Sequence, residues 1–118
     1  MSDVGRLLRS KRLEKKYTLE ITAKLVGVSI NYIAKLEKGE TQNPSDEIIA
    51  KLAIVLGIDE YDLFTSYGKI PMSTRRVLMA NPQLLKLISQ VGNKKLSAEK
   101  AGIFFGLVME EYKKLTEE

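Results

Sequence analysis

The chain contains no cysteine and no histidine. Without thiols there is neither a disulfide framework nor a thiolate metal site, and without imidazole a zinc centre or an acid/base pair is hard to build. Nothing else supplies a catalytic constellation. There is no phosphate-cradling glycine loop and no convincing carboxylate pair, and Ser97 with Lys100 in "SAEK" reads as a helix cap followed by a solvated lysine. No catalytic residue, metal ligand or cofactor is therefore expected. No stretch approaches the roughly 20 apolar residues of a membrane span, and the opening "MSDVGRLLRSKRLEKK" lacks the apolar core of a signal peptide, so a cytoplasmic protein without membrane contact is expected. Alternating runs long enough for a strand are missing, as are internal repeats.

What the sequence does contain is helical periodicity. Its 118 residues, 44% of them hydrophobic, suffice for one modest core. Val4, Leu7, Leu8 and Leu13 mark a first helix ending near Lys15; Thr18 caps a second running to Val26; Ser29 caps a third that Gly39 terminates. Asn43 and Pro44 announce a fourth, carried by Ile48, Ile49, Leu52, Ala53 and Leu56 and stopped by Gly57, and Asp59 caps a fifth through Phe64. Tyr67, Gly68 and Pro71 punctuate a linker. Beyond it Ser73 caps a short helix, Asn81 and Pro82 start another that Gly92 and Asn93 stop, and Ser97 opens a last one. The expected architecture is all-α: a domain over residues 1–66, a linker over 67–72, and a C-terminal helical segment of two or three helices over 73–118.

Charge is unevenly spread. Residues 1–39 hold nine Lys/Arg against four Asp/Glu, residues 40–66 one against six, and residues 67–118 nine against five. A basic N-terminal stretch beside an acidic one suits a polyanion-binding face with an acidic far side.

The break in "KLVGVSINYI", residues 24 to 33, shows how such a face is built. Two helices that cross steeply need a small side chain where their backbones approach, here Ala23, and a turn residue tolerant of positive φ, here Gly27. With Val26, Val28, Ile33 and Leu36 as apolar positions, these spacings define a helix-turn-helix. Residues 5 to 64, through "GRLLRSKRLEKKYTLE", "AKLVGVSINYIAKLEKG" and "PSDEIIAKLAIVLGIDEYDLF", resemble the helix-turn-helix domain of phage repressor and Cro proteins, the Xre-type regulators. The resemblance implies a five-helix domain that binds duplex DNA, with its third helix in the major groove. It also implies a bacterial or phage-encoded regulator, a repressor of the phage or mobile-element type, acting as a dimer on a pseudo-palindromic operator.

On the third helix, Ile30, Asn31, Ala34 and Lys35 fall opposite Ile33 and Leu36 and are assigned to base reading. Asparagine offers a donor and an acceptor to adenine, lysine reaches guanine acceptors or phosphate, and isoleucine meets a thymine methyl. Phosphate contacts are assigned to Arg9, Lys11 and Lys38, to the capping residues Thr18 and Ser29, and to Thr41, Gln42 and Asn43 in the following loop. In the resembled family an arginine of the first helix commonly pairs with a glutamate near the end of the third. Arg12 and Glu37 stand at those positions, so the resemblance implies a structural ion pair between them. The chain departs from the family pattern at Leu19, where glutamine is frequent, at Ile21, where a polar residue is common, at Thr22, usually apolar, and at Glu40, in a loop often cationic.

The last helix carries more apolar surface than one neighbour needs. Phe104, Phe105, Val108 and Tyr112 are expected to meet a second copy or a protein antagonist. The alternative function is an antitoxin-like or protein-interaction module on the same scaffold, using Leu19, Ile21 and the C-terminal stripe, with weak DNA binding.

Overall fold

A computed structural model describes residues 3–41, 43–94 and 96–117. Every regular element among them is a helix: α1 Asp3–Glu14, α2 Leu19–Val26, α3 Ile30–Lys38, α4 Asp46–Leu56, α5 Glu60–Ser66, α6 Met72–Ala80, α7 Pro82–Lys94 and α8 Ala98–Thr116. The chain divides into two compact units, Met1–Arg76 and Val77–Glu118.

In the first unit short helices are delimited by local chemistry. The hydroxyls of Thr18, Ser29 and Ser45 and the carboxylate of Asp59 each accept the backbone N–H three residues on, at 3.0 to 3.3 Å. A cap of this kind contributes about 1 kcal/mol. Gly27 ends α2 in the left-handed region at φ 88°, and its N–H and that of Val28 both return to the Ala23 carbonyl. Orphan groups at the helix end are thereby satisfied while the chain turns into α3. Leu8, Ala23, Val26, Ile33, Leu36, Ile49, Leu52 and Phe64 form most of one core, to which α1, α2, α3, α4 and α5 all contribute.

Several boundaries and faces differ from the sequence reading. The buried stripe of α1 is Gly5, Leu8 and Arg12, flanked by Val4 and Leu7, while Leu13 is exposed because it stands five positions, about 1.4 turns, beyond Leu8 and so faces away from it. Pro44 is buried ahead of α4, whose cap is Ser45. Ser73 lies within α6 and Gly92 and Asn93 within α7, where the helices run past the local signals. Thr22 takes its apolar place fully buried, its hydroxyl donating to the Thr18 carbonyl at 3.0 Å. That back-bond satisfies the hydroxyl inside the core.

The segment after α5 is attached to the first unit. Tyr67 and Met72 pack against the core, and Lys69 and Arg75 both pair with Asp46 at 3.3 and 2.7 Å.

The second unit is built differently. Ser97 caps α8, accepting from the Lys100 N–H, which occupies the serine in a structural bond. A groove of about 200 Å³ is lined by Leu84, Leu87, Ile88 and Val91 of α7 and Phe104, Phe105 and Val108 of α8. Phe104 and Phe105 meet edge to face at 5.7 Å. Among the described residues of this unit no side chain is buried.

Candidate nucleic-acid interface

The interface is assembled around α3, and what fixes α3 lies in α1. Arg12 donates through Nε and Nη2 to the two carboxylate oxygens of Glu37, at 2.7 and 3.1 Å, both side chains being nearly removed from solvent. Its third bond runs from Nη1 to the Tyr17 carbonyl at 3.0 Å, and the Tyr17 N–H returns to the Arg12 carbonyl. One guanidinium thus ties α1, the turn before α2 and the end of α3. A fork-to-fork pair also fixes orientation, which a single point contact does not.

Gly5 supplies the close approach that this pairing requires. A Cβ at Gly5 would overlap the Glu37 carbonyl oxygen and lie 3.0 Å from that of Leu36, so only glycine lets the α1 backbone meet the end of α3. Sequence reasoning missed it. The available signal was a glycine on the buried stripe, three residues before Leu8 and seven before Arg12.

With α3 so held, Ile33, Leu36 and Glu37 point inward while Ile30, Asn31 and Lys35 are exposed and Ala34 is half-buried. The third helix therefore presents an apolar side chain, an amide and an ammonium on one accessible side. Ala34 lies on the wall of a cleft of about 220 Å³ whose other residues are Arg9, Arg12, Leu19, Glu37 and Lys38. Arg9 and Lys38, from different helices, bring two exposed cations to this cleft, while the buried pair accounts for its remaining charges. Leu19 packs against the core and lines the cleft, whereas Ile21 and Leu25 are exposed one turn apart on α2. Lys11 is engaged by Glu14 at 3.5 Å.

Thr18 and Ser29 use an oxygen lone pair each as acceptors for helix N–H groups, which leaves their hydroxyl protons available to an outside acceptor. Thr41 and Asn43 line a second cavity, of about 260 Å³, with Val4, Leu36, Gly39, Ser66 and Tyr67. Gln42 lies outside the described residues. Burial pushes the Tyr67 phenol up to about 12, Tyr32 adding to the shift, and the Tyr67 hydroxyl oxygen is buried with no hydrogen-bond partner among the described residues. Of the four residues assigned to a partner surface, Phe104 is half-buried and Phe105, Val108 and Tyr112 are about half exposed.

No group of His, Cys, Asp or Glu among the described residues could hold a metal ion, and no described helix is long and apolar enough to cross a membrane.

Similarity to known proteins agrees with this geometry. Residues 8–63 match the family model described as Helix-turn-helix. The HTH-type transcriptional regulator SlrR of Bacillus subtilis (strain 168) is 34% identical over 61 residues, which are 52% of this chain and 40% of SlrR. The HTH-type transcriptional regulator SinR of the same organism is 30% identical over 60 residues, 51% of this chain and 54% of SinR. The chain thus spans about half the length of the curated relatives it matches. Among solved structures, the SinR protein/SinI protein complex is similar at a TM-score of 0.50 and 22% identity, over 96% of this chain and 99% of that one, a likeness of fold. Residues 8–63 of this chain are thus an Xre-type helix-turn-helix, the part it shares with the HTH-type transcriptional regulators SlrR and SinR.

Proposed function

We propose that the protein is a sequence-specific regulator, acting as a repressor in dimeric form on a pseudo-palindromic operator. The observation that carries the reading is the exposed side of α3: Ile30, Asn31 and Lys35 stand clear of a helix whose opposite side is locked by the Arg12–Glu37 pair. Asn31 is suited to an adenine edge, Lys35 to guanine acceptors, and Ile30 to a thymine methyl, with Ala34 leaving room for close approach. Arg9 and Lys38 neutralise phosphates beside the cleft, Lys11 adds a third cation on α1, and Thr18, Ser29, Thr41, Gln42 and Asn43 donate neutral hydrogen bonds to phosphate. The cations at these positions make the affinity fall with salt.

Dimerisation is assigned to the C-terminal helices. Phe105 and Val108, about half exposed, line the open groove between α7 and α8 together with Phe104, and Tyr112 is exposed further along α8. A stable interface buries about 1,600 Å² in all, and an apolar helical face of this kind is the natural material for it. Two copies on adjacent half-sites would place their third helices roughly 34 Å apart. A protein antagonist competing for the same face would separate the copies; the SinR protein/SinI protein complex is a pairing of two proteins on a related fold.

Selection of binding sites from random duplexes, followed by footprinting, tests the whole reading. It should return a two-fold symmetric sequence whose half-sites lie one turn apart. Asn31→Ala and Lys35→Ala should each weaken the selected site by about 1–3 kcal/mol and relax preference at one position. No enrichment, at low salt as at high, would instead favour the protein-interaction module.

A further inference from the structure

The loop between α3 and α4 carries Asn43 directly before the Pro44–Ser45 entry to α4, while its start is tied to α3 by the Glu40 N–H, which donates to the Lys35 carbonyl at 2.9 Å. It leaves α3 at Gly39, in the left-handed region at φ 73°, and ends at the Ser45 cap. Neutral side chains that bond phosphate need a fixed position, since hydrogen bonds weaken steeply with misalignment. Lys69 provides an anchor. Its Nζ donates to the Pro44 carbonyl at 2.8 Å and pairs with Asp46 Oδ1 at 3.3 Å, gripping the chain on both sides of Ser45. Its own backbone N–H donates to the carbonyl of Phe64, a fully buried core residue, at 2.9 Å. Arg75 Nη2 holds the other Asp46 oxygen at 2.7 Å and so keeps the carboxylate turned toward Lys69. A continuous run of bonds thus leads from the core through Lys69 to the residues beside Asn43. The Lys69 side chain is only 28% exposed, with its ammonium spent on these two acceptors rather than offered to solvent.

We infer that Lys69 is a positioning residue for DNA binding, holding the chain at the entry to α4 so that Asn43 meets the phosphate backbone, an inference that rests on the DNA-binding reading above. The alternative role, direct neutralisation of a phosphate by Lys69, gives a different salt signature. Removing one cation from the phosphate backbone lowers the slope of log affinity against log salt by about one, whereas removing neutral hydrogen bonds leaves that slope in place.

The test uses the full chain and the duplex recovered by selection, with affinity measured at several salt concentrations. Lys69→Met should weaken binding about tenfold at every salt, a typical penalty for one or two hydrogen bonds, with the slope unchanged. Lys69→Arg, whose guanidinium can serve both acceptors, should restore most of the affinity. Asn43→Ala should weaken the wild-type protein and add little to Lys69→Met, and hydrogen exchange at the Asn43 amide should quicken in Lys69→Met without DNA. Circular dichroism melts check folding, and should Lys69→Met prove unfolded, Lys69→Gln carries the same comparisons. Unchanged affinity, a slope reduced by about one, full additivity with Asn43→Ala, or unchanged exchange would each overturn the assignment. If Asn31→Ala and Lys35→Ala weaken binding and Lys69→Met does not, this inference alone fails. If the wild-type protein binds no duplex, the DNA-binding reading fails with it.

Discussion

Both units of this chain are helical, yet their apolar side chains have opposite fates. In the first, Leu8, Ile33, Ile49, Leu52, Leu63 and Phe64 are all at most 2% exposed. In the second, Ile88, Ile103, Phe105, Leu107, Val108 and Met109 are each about half exposed, and no described side chain is buried. At ~25 cal/mol per Å² of apolar surface removed from water, the first unit's burial offsets the entropy of ordering its chain, and the second has left much of that gain unrealised. Five helices folding on one another complete a core, whereas a helical pair with apolar residues on several sides does not. A small region of this kind gains stability chiefly from whatever covers it. The contrast fits the division of labour proposed above, one unit offering a rigid surface to DNA and the other an apolar face to a second copy.

The largest expected effect breaks the rigid side of that contrast. Arg12→Met strands the buried Glu37 carboxylate and should destabilise the first unit by about 3–5 kcal/mol, read from denaturant melts, while leaving self-association through α8 intact. Phe105→Glu or Val108→Asp should do the reverse. Either introduces a charge into the proposed contact and should weaken dimerisation by at least ~2 kcal/mol in analytical ultracentrifugation, about thirtyfold, without shifting the melt of residues 3–76. Gly5→Ala pushes a methyl into the Glu37 carbonyl and should cost about 1–3 kcal/mol of first-unit stability. DNA affinity should fall with it, because the displaced element is α3.

Two pH effects sharpen the comparison at the margins. Tyr67, pushed up to about 12 by burial, keeps its proton in the folded state while the unfolded chain ionises at the ordinary phenol value. Its favourable balance is therefore intact below pH ~10 and lost as pH rises toward 12. Ultraviolet titration should show a late phenolate step in the wild type that Tyr67→Phe removes and melting of the second unit does not. The Asp46 carboxyl is held below its ordinary value, chiefly by the Arg75 hydrogen bond and then by that of Lys69. That stabilisation is present above the ordinary carboxylate range and is lost as pH falls through the lowered value. Asp46→Asn should accordingly flatten the acid limb of the first unit's stability profile.

Much of the first unit was legible in the chain because its signals are local. Thr18, Ser29 and Asp59 cap where they stand in sequence, and Gly27 and Gly39 end helices in the conformation glycine permits. The alternation of Asn31 and Lys35 with Ile33 and Leu36 followed from helical period alone. Faces were read less well than ends. Leu13 is as apolar as Leu8 but sits on the other side of α1, and Arg12, charged, lies inside. An arginine enters a core only if a partner meets it there, and that partner is 25 residues away.

The sequence by itself determined a helical chain, its main turns, the helix-turn-helix spacing and the exposed composition of α3, since each depends on backbone preferences and side-chain periodicity within a few residues. Tertiary structure decided the rest. It placed Gly5 against the Glu37 carbonyl, closed the Arg12 fork, buried Thr22 with its hydroxyl satisfied, and joined Lys69 and Arg75 to Asp46. These are long-range or burial-dependent contacts, in which a side chain's cost or benefit depends on whether water or another helix stands beside it. No local pattern carries that information.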